Sequence, residues 1–127
     1  MNGLLVVSGV FAAFTTIGHF VIGSKSFLKP MLEASFDERA KKVMHCVFHY
    51  VSAYLVLSTA VLLALGFGLN LTMAATLLVK FIATHYAVFA VTQIIIALTS
   101  QLHNGIFKLF QWMFFVVIAV FAWLGVS

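Results

Sequence analysis

The sequence predicts an all-α membrane protein, an antiparallel up-down-up-down bundle of four transmembrane helices. Hydrophobic residues make up 64% of the chain and charged residues only 8%, where soluble domains carry about a quarter charged. Mean hydropathy is +1.17. Polar breaks divide the 127 residues into four apolar runs, each near the roughly 20 residues that a crossing requires. One transmembrane domain therefore accounts for residues 1–127, with no room for a separate soluble one.

The first span is predicted over 3–23, apolar apart from Ser8, Thr15, Thr16 and His19. No basic residue precedes Lys25, and the run is span-length, so it reads as a retained helix and not a cleaved leader. The connection 24–42 carries Lys25, Lys29, Arg39, Lys41 and Lys42 together with all three acids, Glu33, Asp37 and Glu38. Within it Ser35-Phe36-Asp37-Glu38 fits a capping box, with Ser35 as N-cap and the two acids at the positive end of the helix dipole. A helix started there runs to about Leu65; its roughly 30 residues measure about 45 Å, so its first two turns should stand out of the hydrocarbon. The second span proper is then 43–66, closed by the turn Gly66-Phe67-Gly68-Leu69-Asn70. The third is 72–97, interrupted by Lys80 and His85, and the polar stretch Thr99–Gly105 separates it from an aromatic-rich fourth span over 106–126.

Short connections make successive helices antiparallel, so both termini share one side. The two connections on the other side, 25–42 and the stretch from Thr99 to Lys108, hold six of the seven basic residues. By the positive-inside rule that side is cytoplasmic, which puts both termini outside, in a membrane such as the bacterial inner membrane. The net charge of +4 is concentrated in the 25–42 connection, a pattern that fits anionic lipid headgroups and not nucleic acid. Cys46 is the sole cysteine, so no intramolecular disulfide can form.

Polar groups in hydrocarbon are costly, which makes each a candidate for function. His19, His45, His49, Gln93 and Gln111 all fall one to two turns from the cytoplasmic ends of their helices, and His103 lies in the loop at the same mouth. His45 and His49 are spaced to share one metal ion, and Cys46 adds a soft ligand. His19, His103 or Glu33 could complete the shell. The predicted site is therefore His19, His45, Cys46, His49 and His103 around a transition metal, zinc or copper, with Gln93 and Gln111 as a supporting polar layer. The plainer reading of these histidines is interfacial hydrogen bonding to headgroups and water. Haem ranks lower: it needs two facing histidines and room, and fourteen phenylalanines argue for a filled interior. Quinone contact or proton relay is a further reading.

Lys80 and His85 form a second intramembrane feature, about 140° apart around their helix. No span contains an acid, so Lys80 must snorkel, lose its proton or bond carbonyls and hydroxyls. The same absence weighs against a carboxylate-based antiporter and leaves no acid for a Ser-His-Asp triad within the spans. Gly66-Phe67-Gly68 is a turn and not a nucleotide loop. Function is thus expected to be binding or transport of a transition metal or similar small ligand, without a catalytic constellation. The alternatives are an accessory subunit of a larger membrane complex, or a haem- or quinone-linked redox protein. Gly3, Gly9, Ala13 or Gly66 could seat a homo-oligomer.

Overall fold

The computed structural model describes residues 1–127, and every element in it is helical. Helix α1 (Gly3–Gly18) continues without interruption through a π-helical segment (His19–Leu28) into the short α2 (Lys29–Glu33). Then follow α3 (Glu38–Phe67), α4 (Met73–Thr99), the single turn α5 (Gly105–Lys108) and α6 (Gln111–Leu124). Three helices, 3–33, 38–67 and 73–99, are long and apolar enough to cross a membrane, which marks the chain as a membrane protein.

Helix α1 packs between α3 and α6, and α6 packs between α1 and α4. Asn2 ties three helix ends together. Its backbone N–H donates to Gly66 O at 2.7 Å and its side-chain amide to Gly125 O at 2.7 Å, while its Oδ1 accepts from Leu5 N and caps α1. The start of α1 therefore meets the ends of α3 and α6, so α1 runs antiparallel to both. Close approach there depends on missing side chains: a Cβ on Gly66 would stand 2.8 Å from Val6 N, and one on Gly9 would stand 2.7 Å from Leu63 Cδ2. The core seals around Leu5, Leu55, Leu62, Val79, Tyr86 and Ile118. Helices α3 and α4, although consecutive, meet mainly through large side chains: Tyr54 stacks on His85, and Ser58 hydrogen-bonds Tyr86 at 2.8 Å.

Local structure departs from the sequence-based expectation in three places. The helix begun in the first span does not end at residue 23 but runs on to Glu33. It does so by changing its winding, with Lys29 N–H bonding Ser24 O, five residues back, where an α-helix would bond four back. Thr15, Thr16 and Ser24 all turn their hydroxyls onto carbonyls four residues earlier, a competing bond that loosens the α ladder on both sides of His19. The N-cap of α3 is Asp37 and not Ser35: Asp37 Oδ1 accepts from Ala40 N at 2.9 Å. A full negative charge answers the helix dipole better than a hydroxyl.

The expected fourth span over 106–126 is divided at Leu109–Phe110, and α6 alone has 14 residues. Trp112 Nε1 donates to Ile106 O across the break at 3.0 Å, satisfying a carbonyl that a continuous helix would have used. Only Lys108 and Gln111, which flank the break, mark it in an otherwise apolar segment, and periodicity does not register so short an interruption.

Candidate functional site

Where α1 gives way to the π segment, the bundle opens into a cavity of about 430 Å³, within the 300–1,000 Å³ typical of small-ligand sites. Its walls come from α1 and the π segment (Phe14, Gly18, His19, Gly23, Phe27), from α3 (Phe48, Val51, Leu55) and from the start of α6 (Phe110, Gln111, Phe114, Phe115). Gly18 borders open space, since a Cβ built on it meets nothing within 4 Å, while one on Gly23 would come within 3.4 Å of the Phe48 ring. The expectation that phenylalanine would fill the interior fails at this end of the bundle, because the rings line the space instead of occupying it. Phe14 and Phe27 are also exposed on the outer surface of the bundle, so the cavity rim borders the lipid-facing side.

No charged residue lines the cavity; its side-chain polar groups are Thr15, His19 and Gln111. His19 lies face to face on Phe48, ring centroids 4.1 Å apart, and its Nε2 is 2.7 Å from Ser52 Oγ. Ser52 gives its own proton to Phe48 O at 3.0 Å. It therefore meets His19 as an acceptor, which assigns the imidazole proton to Nε2 and leaves Nδ1 a bare acceptor. Gln111 Oε1 accepts from Gln93 Nε2 at 2.7 Å, so the Gln111 amide N–H groups remain free. The Gln93 carbonyl Oε1 is buried without a partner.

The predicted site residues separate into three groups. His19 and Gln111 share the cavity, with Gln93 behind Gln111. His45 and His49 pair with each other along α3, Nε2 to Nε2 at 3.1 Å, and Cys46 is exposed beside them. His103 is exposed in the loop before α5. No three His, Cys, Asp or Glu side chains converge where they could hold a metal ion, so the five-residue shell is not assembled. Haem fits no better, since His19 is the sole imidazole on the cavity.

Lys80 and His85 part company as their angular separation requires. Lys80 Nζ sits 5.5 Å above the Trp123 ring of α6, a cation–π partner that the sequence reading did not consider. His85 lies among Tyr54, Phe81 and Phe89 on the α3 side. Sequence reasoning also missed Ser52 as the group that sets the His19 tautomer. It missed Phe48, Phe110, Phe114 and Phe115 as cavity walls, because nothing in an apolar sequence separates a lining ring from a packed one. Compared with family models, curated proteins and solved structures, the chain matches none.

Proposed function

We propose that this is a four-span integral membrane protein that binds an uncharged, mainly apolar small molecule from within the bilayer. The observation that carries the reading is the cavity beside His19: apolar walls, three polar side chains, no charge and a rim of lipid-facing phenylalanines. A charged ligand would meet no countercharge there and would lose its hydration. For the fourth crossing, α5, its junction and α6 together approach the length of about 20 residues that a span needs. Charge asymmetry supports an inner-membrane orientation with the 25–42 connection cytoplasmic, against anionic headgroups, and both termini outside.

Photolabelling tests the binding. A neutral decyl diazirine, reacted with the protein in lipid nanodiscs, should concentrate its adducts on Phe14, Phe27 and Phe114, and Gly18→Leu, which fills the open space beside Gly18, should abolish that concentration. Adducts spread evenly over the lipid-facing residues, unchanged by Gly18→Leu, would sink the proposal.

A second reading retains the transition metal at His45 and His49 alone. Their Nε2 atoms are 3.1 Å apart, and an ion about 2.0–2.1 Å from each would subtend roughly 100°, a workable angle for a two-histidine chelate. Copper(II) titration of the intact protein against His45→Ala and His49→Ala tests it. Equal affinity in all three would remove the reading.

A further inference from the structure

In hydrocarbon an unpaired polar group costs several kcal/mol, and the cavity holds two such groups. The His19 ring uses Nε2 for its hydrogen bond to Ser52, and its Nδ1 lies on the Gly23 side, where an ideal Cβ would be 3.8 Å away. The second group is the free amide nitrogen of Gln111. One is an acceptor that needs a proton donor, and the other is a donor that needs a lone pair. Neither carries charge.

We propose that the cavity selects an amphiphile whose head is a hydroxyl group, of the class of a phenol, a prenol or a reduced quinone. This rests on the cavity being a ligand site. A hydroxyl is the neutral head group that can serve both kinds of partner, donating to His19 Nδ1 and accepting from Gln111 Nε2. A ketone, an ether or an oxidised quinone can accept from Gln111 but leaves Nδ1 unpaired. To rescue such a ligand, His19 would have to move its proton to Nδ1, and Ser52 would then have to give up Phe48 O and donate to Nε2. Ser52, buried in the α3 face, is therefore a positioning residue: it sets which nitrogen of His19 is bare, and with it the sense of the selection.

A matched pair of probes separates the hydroxyl from the apolar body. 4-Nonylphenol and its methyl ether, 4-nonylanisole, are compared at equal mole fraction in the bilayer as competitors of the diazirine adducts. The phenol should compete about tenfold better, the ratio expected from one hydrogen bond to an otherwise unpaired group. His19→Ala should bring the two probes together. Ser52→Ala, which removes one hydroxyl and leaves the imidazole in place, should shrink the difference by freeing the tautomer, so the result does not depend on how His19→Ala folds. Equal competition by phenol and ether in the wild-type protein would overturn the hydroxyl assignment while leaving the cavity a ligand site. Absence of competition by either probe would overturn both.

Discussion

At the scale of single residues, the polar positions that matter were legible and their partners were not. His19, Gln93, Gln111 and Lys80 stand out because hydrocarbon penalises them. Ser52 and Trp123 answer two of them from distant parts of the chain, and pairing across helices leaves no local signal. Glycine gives the sharpest residue-level predictions because two of them face opposite surroundings. In Gly66→Ala the new Cβ meets the Val6 backbone at 2.8 Å, and a backbone cannot step aside. A loss of about 1–3 kcal/mol should appear in thermal unfolding in detergent. Gly18→Ala meets nothing within 4 Å and removes a flexible residue from a helix, so it should gain roughly 0.5–1 kcal/mol in the same measurement. Asn2→Ala gives up the hydrogen bond that its side chain makes to α6 and the cap on α1, and should cost about 1–2 kcal/mol.

At the scale of elements, α3 and α4 were read nearly to their boundaries because capping residues and glycine turns bracket long apolar runs. The first and last helices were not, since winding and interruption arise from hydroxyl back-bonds and an indole that periodicity does not register. The start of α3 makes a specific prediction. Asp37→Ala should fray its first turn at a cost of about 1 kcal/mol, with faster hydrogen exchange at Ala40 N–H. The same turn is sensitive to acid. A hydrogen bond from Lys41, reinforced by the charge of its ammonium, holds the Glu38 carboxyl below its ordinary value of 4.5. A carboxyl depressed in the folded state stabilises that state above the ordinary value, and the contribution fades as pH falls through the lowered one. Protection factors of the amides across residues 38–42, which correct for the intrinsic slowing of exchange in acid, should therefore fall on acidification below pH 4.5, and Lys41→Ala should weaken that acid response.

At the scale of the molecule, composition alone identifies a membrane chain, and the antiparallel order follows from short connections and from Asn2 joining three helix ends. The orientation predicts a labelling pattern. With Ser35→Cys in a Cys46→Ser background, an impermeant maleimide should react in inside-out vesicles and fail in sealed cells, while a reporter fused after Ser127 should read as external. Labelling of residue 35 from outside would reverse the topology. Space for the cavity could not be read, since it is a property of how helices diverge and not of any residue. The segment from His19 to Leu28 has a further consequence. Its hydrogen-bonded rings are one residue larger than those of the helix on either side, so the chain there carries slack that a deletion could take up. Removing Val21 should let the coil tighten while α1 keeps its register. Because the tighter turns absorb the missing residue, α2 and the basic loop would stay close to their present bearing on the membrane surface, where the same deletion in a regular α-helix would swing them by about 100°.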